Sequence, residues 1–192
     1  MTNPTDDKWF DFTPTNYRDQ VDTTYNVSNG WTINTRVPLK GKITLPAYHT
    51  DPATGNSYPV VRIASNAFSG LSSDSPTEEE RELGFEGQIN VPGPGYHLTH
   101  IYWYGDTTQF REIYDNAFWN AGTWQSEIVD SRINPRMEKA NKGRKIKSDI
   151  FVYFDMPLNT RVIGNNAFGN CQKLAPIDFG ETKLFYIGRG AF

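Results

Sequence analysis

Apolar and polar positions alternate along this chain in short runs, and one pattern returns four times. The octet Val61–Phe68 comes back as Arg111–Phe118, as Arg161–Phe168 and as Phe185–Phe192. In all four the third position is isoleucine (Ile63, Ile113, Ile163, Ile187). The last two positions are always alanine and phenylalanine: Ala67 and Phe68, Ala117 and Phe118, Ala167 and Phe168, Ala191 and Phe192. Each octet follows a strand-like segment: Lys42–Pro46, Gln88–Pro92, Phe151–Pro157 and Ala175–Phe179. In the first two, apolar side chains alternate strictly and a proline closes the run, as in a short strand whose hydrogen-bond ladder must stop. Asp51–Asn56 gathers Asp, Pro, Gly and Asn between two such runs and predicts a turn-tipped hairpin. Trp31–Val37 alternates well enough to add one more strand.

A unit made of one short strand, one turn and one phenylalanine cannot bury its apolar face alone. Stacked units share a continuous core, which is the physical logic of a solenoid. The expected fold is therefore mainly β: a solenoid of short strands, with brief helical turns after each Ala-Phe, over residues 37–192 in about four units. Residues 1–36 are expected to form an N-terminal arm and cap. Successive Ala-Phe pairs lie 50, 50 and 24 residues apart, so the last spacing is the uninterrupted period. Long insertions follow the first two pairs, at Ser69–Glu86 and Trp119–Asp149.

The run Ile163, Gly164, Ala167, Phe168, Cys171, Leu174, Ile177 resembles the BspA-type leucine-rich repeat. Lys40–Pro46, followed by Gly55 and Tyr58–Ile63, resembles the opening repeat of such an array. The second unit matches the family pattern only at its proline and its Ala-Phe, and residues 1–35 lie outside the resemblance. It implies a leucine-rich-repeat-like fold that binds proteins or cell surfaces without catalysis. It also implies that Cys171 fills a slot for a small apolar side chain, so that its thiol belongs to the core. BspA-type repeats are typical of bacterial surface adhesins, and related modules occur in phage proteins.

Composition suits this reading. Leu, Ile, Val and Phe number 42 of 192 residues, aromatics reach 14%, and the mean hydropathy is -0.61. Such a chain can build only a thin, aromatic-rich core, adequate for a one-dimensional stack and poor for a globule. The net charge of -3 argues against a nucleic-acid binder with a broad basic face. It also conceals two opposite segments. Asp74–Glu86 carries six acidic residues against Arg81, and Arg132–Lys147 carries seven basic residues against Glu138. Glu78, Glu79, Glu80 and Glu82 are thus candidates to dock on Lys142, Arg144, Lys145 and Lys147, within the chain or between subunits. The alternative is two solvated charge runs, because exposed pairs contribute only about 0–1 kcal/mol.

Several classes of chemistry drop out. No apolar run is long enough for a membrane span. The polar stretch Met1–Asp7 is not a signal peptide, which suggests a protein made in the cytoplasm. One cysteine rules out an internal disulfide framework and a cysteine-cluster zinc site. His97 and His100 fall on opposite faces of a strand and do not make a metal pair. No nucleophile elbow or dinucleotide fingerprint is present, so neither enzyme nor cofactor is expected.

Trp9, Phe10, Phe12 and Tyr17 set aromatics in a polar stretch and are expected to anchor an arm in a partner. Residues 25–37 are expected to cap the first unit instead. A stack ending on Phe192 leaves core residues open, so a continuation or a covering partner is expected there. The functional expectation is a structural protein of a virion, such as a bacteriophage fibre, tail or decoration protein. It would assemble as a homo-oligomer or with other virion proteins and present its repeats to a host-surface receptor. The alternative is a bacterial cell-surface or secreted adhesin.

Overall fold

The computed structural model describes residues 7–18, 27–35, 37–122 and 151–192. It is mainly β. The isoleucine of each octet sits in a short strand: β5 (Ser57–Ile63), β9 (Glu112–Ile113), β11 (Val162–Ile163) and β12 (Tyr186–Ile187). These pair in parallel in that order, and β2 (Val27–Asn34) joins β5 from the other side. The register sets Ile33, Ile63, Ile113, Ile163 and Ile187 in one row. The first four are fully buried, whereas Ile187 is 50% exposed. A slip of one residue would turn the whole row outward, so burial fixes the register.

β1 (Asp11–Arg18) runs antiparallel to β2 and edges this sheet. β4 (Tyr48–Thr50) pairs antiparallel with β5 across the expected hairpin turn. That turn is closed by Asp51 N–H on the Asn56 carbonyl (2.8 Å) and Gly55 N–H on the Asp51 carbonyl (2.8 Å). A second, all-parallel sheet lies opposite, in the order β10 (Tyr153–Phe154), β8 (His97–Tyr104), β3 (Lys40–Pro46). There Ile43, Ile101 and Phe154 share a row and are buried.

The turn after each isoleucine carries the repeat. Its sixth octet position is Asn66, Asn116, Asn166 and then Gly190, with φ of 59, 56, 50 and 64°. Asparagine and glycine are the residues that adopt this left-handed conformation most readily, which is why glycine can replace asparagine there. With the chain so turned, the N–H of each octet phenylalanine reaches the alanine carbonyl of the next unit. Phe68 donates to Ala117, Phe118 to Ala167 and Phe168 to Ala191, each at 2.7 Å. The rings then stack face to face at centroid distances of 5.2, 5.1 and 5.4 Å from Phe68 through Phe118 and Phe168 to Phe192. Position five adds a polar relay: Asn165 N–H donates to Asp115 (2.7 Å), and Arg189 N–H to Asn165 (2.8 Å).

Three expectations are corrected. Gln88–Pro92 is not a stack strand: β7 (Ile89–Pro92) pairs antiparallel with β6 (Leu71–Asp74), with the helix α1 (Glu78–Glu82) between them. The stack strand of the second unit is β8, which offers a longer parallel partner to β3 and buries Leu98 and Ile101 completely. Ala175–Phe179 forms no strand. The Ala175 N–H donates to the Val152 carbonyl (2.9 Å), and no further backbone bond to that strand follows it. Around each Ala-Phe the described backbone forms turns, and α1 is the one α-helix among the described residues. Of the second insertion, residues 123–150 lie outside the described set.

Phe118 touches Phe68, Phe151, Phe154 and Phe168, so Phe118→Ala should cost about 3–5 kcal/mol in chemical denaturation. At the turn, Asn116→Gly should stay within about 1 kcal/mol of the parent. Asn116→Val should lose about 1–2 kcal/mol more than that, since a β-branched residue resists a left-handed φ.

Candidate interaction surfaces

The aromatic residues near the N-terminus are largely committed inside the chain. Phe10 is 7% exposed and meets the first ring of the column, Phe68, edge-on at 6.4 Å. Phe12 stacks flat on His49 at 3.7 Å, and Trp31 packs edge-on against both rings. The Trp31 indole N–H donates to the His49 carbonyl (3.1 Å), and the Thr35 hydroxyl to the Trp9 carbonyl (2.7 Å). These contacts join β1, β2 and β4 into a cover over the first unit. The expectation of Phe10 as an outward anchor is corrected accordingly, since burying its ring against Phe68 gains more than leaving it in water, while Phe12 is half-buried against Trp31 and His49. Trp9 remains 41% exposed, with the Lys8 ammonium 5.3 Å from its ring. Tyr17 faces Ser28 along the β1–β2 ladder, and its side chain lies outside the described set.

The acidic candidates divide. Glu78, Glu79 and Glu82 are exposed on α1, but Glu80 is 6% exposed. Its carboxylate accepts from the Thr77 N–H (2.7 Å) and hydroxyl (2.9 Å), while its own N–H donates to the Thr77 oxygen (3.3 Å). This is a capping box, so Glu80 serves the helix and is withdrawn from any docking face. The proposed basic counterparts Lys142, Arg144, Lys145 and Lys147 lie outside the described residues.

The repeat positions converge. Ala67, Ala117 and Ala167 are fully buried, Ala191 nearly so, and Leu174 packs on the core. The Cys171 thiol donates to the Phe118 carbonyl (3.1 Å), and burial pushes it up to about 12. The half-buried side chain packs against the core beside Leu174. On the fourth unit the core comes to the surface. Phe185 is 69% exposed, Tyr186 47%, Ile187 50% and Phe192 55%.

Two groupings of side chains lie outside the sequence expectations. On the outer face of the long sheet the Arg62 guanidinium pairs with Glu112 (2.6 Å from Nε) and lies 4.3 Å from the Tyr114 ring. Burial first, and Glu112 second, raise the Tyr114 phenol. The spacing of Arg62 and Glu112, one repeat apart at octet position two, was the available signal. On the second sheet His100 stacks on Tyr102, and both rings face Tyr153. Burial, then Lys42, hold the His100 imidazole below its ordinary value. His97 instead packs edge-on against Tyr96. Among the described residues no three His, Cys, Asp or Glu side chains group so as to hold a metal. No helix among them is long and apolar enough to cross a membrane.

The raised thiol predicts a pH effect. The folded state keeps the Cys171 proton up to about 12, whereas the unfolded thiol loses it near 9. The stabilisation is complete below about pH 9 and is lost as pH rises towards 12. Between pH 8 and pH 10 the parent should lose about 1 kcal/mol more stability than Cys171→Ala, measured by denaturant titration.

Set against family models, curated proteins and solved structures, the chain matches none of them.

Proposed function

We propose that this chain is a non-enzymatic interaction module, a leucine-rich-repeat-like solenoid that works inside a larger assembly. A virion protein of the bacteriophage fibre, tail or decoration kind is the reading we favour. The observation that carries it is the in-register isoleucine row and phenylalanine column. Both repeat unit by unit and then reach the surface as Ile187 and Phe192, with Phe185 exposed beside them. The resemblance of Ile163–Ile177 to BspA-type repeats supports the same class of protein. Exposed core-type residues grouped on one face mark a contact surface more often than isolated surface apolars do. In this reading the exposed residues of the fourth unit form one contact face of the module, and Trp9 is the aromatic left for a second contact.

Sedimentation velocity of the 192-residue protein tests this. Concentration-dependent association at micromolar protein is expected, with loss of association and an unchanged circular dichroism spectrum in the double variant Phe185→Glu, Phe192→Glu. A parent that stays monomeric throughout, or a double variant that associates equally well, contradicts the reading. Binding of the isolated monomer to intact bacterial cells would favour an adhesin.

A further inference from the structure

Among the described strands the long sheet ends at β1 on one side and β12 on the other, and the second sheet ends at β3. Two of these edges carry features that keep edge strands from pairing. β1 has Pro14 in its middle. β3 has exposed Lys40 and Lys42, a register shift between Gly41 and Lys42, and Pro46 at its end. At β12 the run Phe185–Gly188 has no charge, no proline and no register shift. It pairs with β11 alone among the described strands. The Tyr186 and Gly188 N–H groups donate to the Arg161 and Ile163 carbonyls (3.0 and 2.8 Å). Alternation along the strand therefore turns the Ile187 N–H and C=O outward, away from β11.

Laid antiparallel on a second copy of itself, this run is self-complementary in one register. Ile187 opposite Ile187 exchanges two reciprocal N–H···O=C bonds. Tyr186 then stands opposite Gly188. That position leaves the backbone bare, because a Cβ there would lie 2.5 Å from the Asn165 nitrogen. An aromatic ring on the neighbouring strand covers such a glycine. One pair further out, Phe185 stands opposite Arg189. Phe185 is 69% exposed, and the exposed Arg189 guanidinium has neither hydrogen bond nor ion pair among the described residues. The ring face attracts that cation. A shift of two residues one way would set Arg189 against Lys183, a like-charge pair.

From this complementarity we infer that β12 is a dimer strand. Two copies of the chain join their long sheets by antiparallel β12 pairing about Ile187, an interface with twofold symmetry. The inference rests on the reading of the fourth unit as a contact face and names its occupant.

Cysteine cross-linking of the full chain in a Cys171→Ala background tests it. Ile187→Cys should form a disulfide dimer under copper–phenanthroline oxidation, because the two positions face each other across the axis. Tyr186→Cys should cross-link at least about tenfold less, since it stands diagonal to its own counterpart. In hydrogen exchange followed by NMR, the Ile187 amide should slow about tenfold from dilute to concentrated protein, with the Ile113 amide unchanged. Arg189→Gln should weaken association about fivefold. Association without Ile187 protection, equal cross-linking in the two cysteine variants, or equal affinity in Arg189→Gln overturns the β12 pairing and leaves the contact-face reading standing. A chain that stays monomeric overturns both.

Discussion

The contact between neighbouring octets governs this molecule. A phenylalanine N–H must reach the alanine carbonyl of the next unit while its ring lies flat on the next ring. Both conditions hold only if the backbone turns left-handed two residues earlier, at Asn66, Asn116, Asn166 or Gly190. The same turn points the preceding isoleucine into the row beneath the long sheet. One backbone conformation therefore sets three things together: strand register, ring stacking and unit spacing. Insertions can leave the column because they depart after the phenylalanine, where these conditions are already met. That is how units 50 residues apart in sequence come to lie in direct contact.

The repeat was legible because its chemistry is narrow. Isoleucine, alanine and phenylalanine at fixed spacing leave few other arrangements that bury all three. The left-handed turn was on the page as well, as asparagine replaced once by glycine, though only the backbone angles give that substitution its meaning. The second sheet was less legible. Gln88–Pro92 and His97–Tyr104 both suit a strand, and local alternation does not record which one finds a parallel partner in Lys40–Pro46. Long-range pairing decides, and β8 wins by burying Leu98 and Ile101 against that partner. Ala175–Phe179 shows the converse, a strand-like pattern that makes one backbone bond, from Ala175 to Val152, and no ladder.

The aromatic stretch at the N-terminus shows why composition alone misplaces a surface. Phe10 and Phe12 stand among polar neighbours, which reads as exposure. In the fold they close the open side of the first unit, with Phe10 on Phe68 and Phe12 on His49. The same need exists at the fourth unit, where Phe185, Ile187 and Phe192 meet solvent. The first unit is thus covered by the chain's own β1 and β2, whereas among the described residues Ile187 and Phe192 of the fourth unit are about half exposed. The charged segments divide in a similar way, since Glu80 is consumed by the cap of α1 while its neighbours face outward.

The ring column can be observed directly. Nuclear Overhauser spectra of protein labelled only at phenylalanine report which rings are adjacent. The account predicts cross-peaks between Phe68 and Phe118, Phe118 and Phe168, and Phe168 and Phe192, with none between Phe68 and Phe168. Missing peaks between consecutive members, or a peak between Phe68 and Phe168, would contradict it.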